Sequence, residues 1–271
     1  MAAKLTVLVT CKNERANIGP CLDAAAPIAD ELLVADSGST DGTLEYVRGR
    51  GDCRIIEREY RACGDFKNWA IPQAAHEWVL VVDADERVTP ALAQEIRGKL
   101  ANETAYDGFW IGRSNHLMGH RVRYTDWARD RLVRMFRRDL GRYEGPSDHG
   151  DVRVPSGKLG VLREPLDHYT LWSWASYLQK FDRYTHVQAE QWHAAGRRPS
   201  WRKLLLNPPL RFFRDYVVHR GFLDGAVGIQ IAWMSAFYSF MKQARLWELH
   251  CGLQQSDVEA EAIAAAERKA A

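Results

Sequence analysis

Three acids, Asp83, Asp85 and Glu86, stand within four positions at the end of an apolar run in the stretch VLVVDADERVTP, Val79 to Pro90. A carboxylate at the mouth of a buried strand is costly unless it finds a partner. Two chemistries account for the set. Thr89 and Pro90 have the types of a helix N-cap and first-turn residue, and acids are stabilised near a helix N-terminus. Alternatively, Asp83 and Asp85 point to one face if extended geometry persists past Val82, with Glu86 on the other. Such a pair suits Mg²⁺ or Mn²⁺, which takes one or two carboxylates and completes its shell with water and substrate phosphates. Zinc would require nitrogen and sulfur ligands that this stretch lacks.

Similar groups follow two other apolar runs. Thr10, Cys11, Lys12, Asn13 and Glu14 come after LTVLV, and Asp36 closes ELLVAD ahead of SGSTDG. The SGSTDG loop also reads as a turn feeding a helix, with Thr40 or Asp41 as N-cap. No GK[ST] follows it and no GxGxxG is present, which excludes a Walker loop and a dinucleotide fingerprint.

Positioning these groups together requires a particular scaffold. LTVLVT, ELLVAD, CRIIERE and WVLVV each precede a helical pattern, and in PALAQEIRGKL the residues Leu92, Ile96 and Leu100 recur at helical spacing. Strands apolar on both faces and alternating with helices predict an α/β fold: an open, mainly parallel sheet with helices on both faces. In such a sheet ligands bind beyond the carboxyl ends of the strands, which gathers all three polar segments on one edge. After Leu100 the runs GFWIGRSN, RLVRMFRR and DVRV lack crossover helices, so antiparallel or mixed additions are expected. A long helical pattern covers Thr170 to Ala195. The basic, aromatic segment beyond it is expected to break at Pro208 and Pro209, and the Ala/Glu-rich tail after Ser256 reads as a fraying helix.

Composition bounds the rest. A chain of 271 residues with 46% hydrophobic and 27% charged residues can bury a sizeable core. A net charge of +2 is too mild to imply nucleic acid as a partner. Five cysteines without CxxC spacing point to a reducing, cytoplasmic compartment. The N-terminus lacks the ordered features of an export signal. The longest apolar stretch, Gly225 to Met241, carries Gln230 and two serines and reads as a buried or interfacial helix.

TCKNERANIGPCL, VADSGSTDGT, FKNWA and WVLVVDADERVTP, in this order and spacing, resemble the family 2 glycosyltransferases of GT-A fold. RLVRMFRR, PLDHYT, YLQKFDRYT, GFLDG and YSFMKQARLWE extend the resemblance to the bacterial subgroup that adds a sugar, often glucose, to the heptose of the lipopolysaccharide inner core. The resemblance implies a metal-dependent, inverting transfer from a UDP-sugar. Thr10, Asn13, Glu14 and Asp36 would hold the uracil and ribose, Lys67 would reach the nucleotide or its phosphates, Asp83 the ribose side, and Asp85 the metal. It also implies a catalytic domain over residues 1–168, a helical extension over 169–271, and a cytoplasmic protein peripherally associated with the inner membrane.

The acceptor hydroxyl must lose a proton as it attacks. In GPSDHGDVRV, Gly145 to Val154, the subgroup's usual His-Glu pair is replaced by His149-Gly150, leaving Asp148 and Asp151 as candidate bases and His149 as a metal or phosphate contact. His168 reads as core or site. The arginine-rich run Arg129 to Arg142 reads as a solvated face or as a surface for an anionic acceptor. Arg197 to Arg220 holds seven Lys or Arg against one acid, Asp215, interleaved with aromatics. That pattern suits an anionic leaflet as well as a packed helical hairpin. Rival readings are transfer to polyprenyl phosphate or another glycolipid, and a non-catalytic sugar-nucleotide-binding protein. A haloacid-dehalogenase-like phosphatase is disfavoured because its acidic motif follows the first strand, not the fourth.

Overall fold

The protein is described by a computed structural model over residues 2–144 and 151–252. Asp148, His149 and the tail after Ser256 lie outside the described residues.

Four parallel strands form one end of the ten-stranded main sheet, in the order β3 (Cys53–Glu57), β2 (Glu31–Asp36), β1 (Leu5–Cys11) and β4 (Trp78–Asp83). Side chains alternate between its faces, so both must be covered. Leu5, Val7, Val9, Leu80 and Val82 pack with Ile18 and Leu22 of α1 (Arg15–Ala25), Val47 of α2 (Thr43–Arg50), and Leu92 and Ile96 of a later helix. Leu8, Leu33, Val79 and Val81 pack against Phe66 and Ala70 of α3 (Cys63–Ala70) on the other face. Each such fully buried Leu or Val contributes roughly 1.5–3 kcal/mol, and the continuous apolar runs exist because both faces are inside.

Past β4 the extended geometry stops. Ala84 and Asp85 form a turn into β5 (Glu86–Val88), and α4 (Pro90–Ala101) follows. The premise that placed Asp83 and Asp85 on one strand face therefore fails. The Thr89 cap is present: its side chain accepts from the Leu92 amide at 3.1 Å, with Pro90 in the first turn. At α2 the N-cap position is Gly42 (φ +87°), not Thr40 or Asp41, yet Asp41 still caps from one residue earlier by accepting from the Thr43 amide at 3.0 Å.

The rest of the sheet is mixed, because its strands return without crossover helices. β6 (Gly108–Leu117) carries the short antiparallel β7 (His120–Arg121), and β8 (Arg131–Arg137) lies antiparallel between β4 and β6. β9 (Arg142–Tyr143) and β10 (Val152–Arg153) form a separate ribbon, and β11 (Leu159–Val161) runs parallel to β6. β12 (Leu166–Leu171) joins β6 in parallel and β5 in antiparallel, with His168 paired to Glu86. The expected division at residue 168 thus falls inside a strand, and the helical pattern drawn from Thr170 begins only at Trp174.

That helix is α5 (Trp174–Ala194), capped by Ser173, whose side chain accepts from the Ser176 amide at 3.2 Å. α6 (Trp201–Phe213) runs through Pro208 and Pro209 rather than breaking there. The carbonyls deprived of partners belong to Leu204 and Leu205; Leu205 is exposed, and water can take up the lost bonds. α6 packs on α7 (Ala226–Cys251), where Phe212 meets Trp233 at 4.8 Å between ring centroids. Gly228 of α7 lies so close to Gly221 that a Cβ would sit 1.7 Å from the Gly221 carbonyl oxygen. Leu117, Val122 and Leu171 of the sheet side pack with Ile231 and Met234 of α7, so the helices share an apolar cluster with the sheet.

Among the described residues, one group of three acid or histidine ligand atoms lies within 4.8 Å: Asp126, Asp215 and His219. Arg211 approaches Asp126 at 2.9 Å, and Arg214 approaches Asp215 at 3.6 Å. The two guanidinium groups offset the charge of the two carboxylates and tie the segment after α6 to Asp126, although both buried Asp215 oxygens lack a hydrogen-bond partner. No helix of the described residues is long and apolar enough to cross a membrane.

Candidate active site

Pairing β1, β2 and β4 in parallel brings Thr10, Asp36 and Asp83 to the same sheet edge, with Thr10 in register with Ala35 and Asp83. Two loops then interlock. The Asn13 amide donates to Ser39 Oγ at 2.9 Å, and Asn13 Oδ1 accepts from the Thr40 amide at 2.8 Å. The Glu14 amide donates to Thr43 Oγ1 at 2.9 Å. Asn13 holds φ +55°, a left-handed conformation that asparagine tolerates. Asp36 is fully buried and accepts from the Gly38 and Ser39 amides, both at 2.8 Å, and from Ser39 Oγ at 2.5 Å. Its carboxylate therefore shapes the loop that borders the edge. Burial pushes the Glu14 carboxyl up, although Asn17 donates to it at 2.8 Å.

Asp83 is held by cations. Lys67 Nζ donates to Oδ1 at 2.6 Å, Arg134 Nη2 to Oδ2 at 2.5 Å, and Thr10 Oγ1 to Oδ1 at 3.1 Å. Burial alone would raise this carboxyl, but Arg134 and Lys67 outweigh it and hold the group well below the usual carboxylate range. Burial would likewise depress the Lys67 ammonium, and the charge of Asp83 reverses this. Glu86, expected on the face opposite Asp83 and Asp85, is completely buried: it accepts from Arg134 at 2.8 Å, from Arg113 at 3.4 Å and from the Asp83 amide at 3.0 Å. Arg134, 3% exposed, is thus neither solvated nor facing an acceptor. Both carboxylate oxygens of Asp83 are occupied by protein donors, which leaves Asp85 as the acid of this motif that a cation can approach.

Asp85 Oδ2 lies 3.6 Å from His168 Nε2 and 3.7 Å from Lys180 Nζ. Burial would raise its carboxyl, and the neighbouring His168 and Lys180 hold it below its ordinary value. The tautomer of His168 follows from its partner. Asn115 Nδ2 donates to the Trp127 carbonyl at 2.5 Å, so Asn115 Oδ1 must accept from His168 Nδ1, also at 2.5 Å. With Nδ1 committed to Asn115, Nε2 is the ring atom that faces the Asp85 carboxylate. A divalent cation between Asp85 and Nε2 would take that nitrogen as a ligand, and an imidazole whose far nitrogen is already fixed is the usual form of a metal-ligating histidine. The donor set fits Mg²⁺ or Mn²⁺ with Asp85 and His168 as protein ligands.

Main-chain bonds set this spacing. The Tyr169 amide donates to the Asp85 carbonyl at 2.9 Å as β12 pairs with β5. Arg87 Nη1 donates to the Ala84 and Glu86 carbonyls at 2.8 Å each, and its guanidinium lies 5.6 Å from the Tyr169 ring centroid. Of the expected site residues, Thr10 and Lys67 join Asp83, Asn13 and Glu14 border Asp36, and Asp85 meets His168 and Lys180. Asp151 is exposed, and its carbonyl accepts from the Glu144 amide at 3.1 Å, next to the β9–β10 ribbon.

A parallel half-sheet with polar loops at its carboxyl ends, extended by a mixed half that supplies a histidine opposite the acidic turn, defines a GT-A-like α/β transferase. The family described as glycosyl transferase family 2 matches residues 6–169, and the chain belongs to it. Over 251 residues it is 30% identical to the lipopolysaccharide core biosynthesis glycosyltransferase LpsC of Rhizobium meliloti, covering 91% of this chain and 93% of that one. An uncharacterized glycosyltransferase of Rickettsia bellii is 25% identical over 260 residues, covering 92% and 88% of the two chains. Glucosyl-3-phosphoglycerate synthase from Mycobacterium tuberculosis, solved with phosphoglyceric acid, superposes with a TM-score of 0.50 at 17% identity, covering 73% of this chain and 82% of that one. At that identity the likeness shows the fold alone. The protein is a family 2 glycosyltransferase similar to one of lipopolysaccharide core biosynthesis.

Proposed function

We propose that the protein transfers a hexose, glucose foremost, from a UDP-sugar to a lipid-linked saccharide, the heptose of a lipopolysaccharide core, with inversion and with Mg²⁺ or Mn²⁺ as cofactor. The observation that carries this reading is the facing pair Asp85 and His168, with Thr10 and Asp36 at the carboxyl ends of the neighbouring parallel strands. The likeness to LpsC supports the acceptor class.

Asp85 and His168 would hold the divalent cation, whose chemistry is Lewis-acid stabilisation of the departing diphosphate. The chain's own groups do the rest. The loops laced by Asn13, Ser39 and Thr40 bound the nucleoside end, while Lys67 acts through Asp83, fixing that carboxylate for the ribose side. Lys180, 42% exposed and 3.7 Å from Asp85, can swing to a phosphate oxygen as the donor enters. Asp151, with Asp148 and His149 beyond the described residues, is the proposed source of the general base.

The helical segment would rest on the cytoplasmic face of the inner membrane. Trp201, Leu205, Leu210, Phe213 and Trp233 are all more than half exposed, beside the exposed cations Arg197, Arg198, Arg202, Lys203 and Arg220. Apolar exposure on this scale marks an interaction surface, and cations near an anionic leaflet contribute about 1 kcal/mol each. Arg211 and Arg214, counted with this set in the sequence, are instead engaged by Asp126.

The cofactor assignment is tested by thermal shift with UDP. At about a hundredfold excess over the dissociation constant, ligand linkage stabilises by about 2.7 kcal/mol, roughly 5–10 °C for a chain of this size. The shift should require Mn²⁺ or Mg²⁺ in the native protein and lose that requirement in Asp85→Asn and His168→Gln, with their unliganded melting temperatures nearly unchanged. An equal metal-dependent shift in both variants would overturn the assignment.

A further inference from the structure

An aromatic ladder rises beside the Asp85 turn. The His116 ring stacks on Tyr169 with centroids 4.6 Å apart and planes at 20°, and Tyr169 stacks on Trp172 at 5.4 Å and 5°. His116 is buried, Tyr169 half-buried and Trp172 53% exposed, so the ladder ends in an open indole at the surface. It is braced to the reaction centre at two points. The Tyr169 amide holds the Asp85 carbonyl, and Arg87, which secures the carbonyls either side of Asp85, lies against the Tyr169 ring. An exposed indole backed by Tyr169, the residue that follows the histidine facing Asp85, has the form of a recognition surface.

We propose that Trp172 is the stacking platform for the sugar ring of the acceptor, which presents its hydroxyl towards Asp85 and His168. The proposal rests on the reading of that pair as the transfer centre. The C–H face of a pyranose is apolar and flat and suits an indole, while its rim hydroxyls need polar partners such as those around His168 and Lys180. A lipid chain asks for the opposite, a trough without polar groups. The structure has one elsewhere, a groove of about 400 Å³ between α5 and α7 lined by Trp174, Leu178, Trp233 and Phe237, and Trp172 does not line it.

The test uses the full-length protein with fluorotryptophan in place of tryptophan, the Trp172 signal being assigned with Trp172→Phe. A deacylated lipopolysaccharide core oligosaccharide should shift that fluorine resonance, and phosphatidylglycerol–phosphatidylethanolamine vesicles should not. Trp172→Ala should weaken oligosaccharide binding roughly tenfold and Trp172→Tyr should restore most of it, with UDP affinity unchanged in both. A Trp172 signal that answers to vesicles alone would reassign the ring to lipid and refute the proposal. So would no response to the oligosaccharide, or an alanine variant within twofold of native affinity. Failure of UDP to bind the native protein would instead strike the transfer reading, while the fluorine signal would still decide the platform.

Discussion

Replacing Arg134 by methionine removes one guanidinium that two acids share. Its Nη2 lies 2.5 Å from Asp83 and 2.8 Å from Glu86, and it is 3% exposed while Glu86 is fully buried. Each contact is worth about 4 kcal/mol gross at an effective dielectric of about 20, against a desolvation cost of several kcal/mol for burying the cation. Deleting one member of a buried pair typically costs 3–5 kcal/mol because the other charge is left behind. Here Lys67 still holds Asp83, and Arg113 still reaches Glu86 at 3.4 Å, so the expected loss lies at the low end, about 3 kcal/mol. Urea unfolding followed by circular dichroism should show the midpoint falling by about 1 M at pH 7. The pH dependence carries a sign. Asp83 has a depressed folded-state pKa, so its contribution is present above its ordinary value of 3.8 and is lost as pH falls through the lower folded value. The gap between native and variant should therefore be full at pH 5–7 and narrow below about pH 4. Adding Glu86→Gln to Arg134→Met should recover part of the loss. A cost under about 1 kcal/mol, or a gap that widens in acid, would refute the shared-cation account.

Two other outcomes follow from the helical half. Binding to phosphatidylglycerol-containing vesicles should weaken steeply between low and physiological salt and fall further in Trp201→Ser/Leu205→Ser; a vesicle-bound fraction indifferent to salt and to these changes would remove the surface assignment. Gly228→Ala should cost about 3 kcal/mol or more or prevent folding, because its Cβ meets a backbone carbonyl rather than a mobile side chain; thermal unfolding within 2 °C of native would contradict the close approach.

The parallel half of the sheet was legible because its strands are buried on both faces, and the apolar runs announce this directly. The mixed half was readable only as a change of pattern, since returning strands borrow their register from neighbours far along the chain. The convergence of Thr10, Asp36 and Asp83 on one edge followed from topology. The ion pairing of Asp83 with Lys67 and Arg134, apart from Asp85, did not, because it depends on a two-residue turn and on cations arriving from elsewhere. Arg134 did leave a signal: a lone cation between Val133 and Met135 in a central strand has no route to water and must meet a buried acid. His168 was left between core and site because its partners Asn115 and Asp85 lie 53 and 83 positions away. Pro208 and Pro209 misled because an interior proline has a finite cost, which the packing of α6 on α7 outweighs.

The β5–β12 ladder has an evolutionary consequence. The interval between positions 85 and 168 is set by amide–carbonyl bonds and a strand register, which do not depend on the side chains that stand there. New ligand sets could be sampled at these two positions without loosening the sheet. Asp83, Glu86 and their cations are bound into the interior by charge and have no such freedom. Asp83 and Glu86 thus belong to the framework, while position 85, between them, carries the proposed cation site and is the freer of the three to vary.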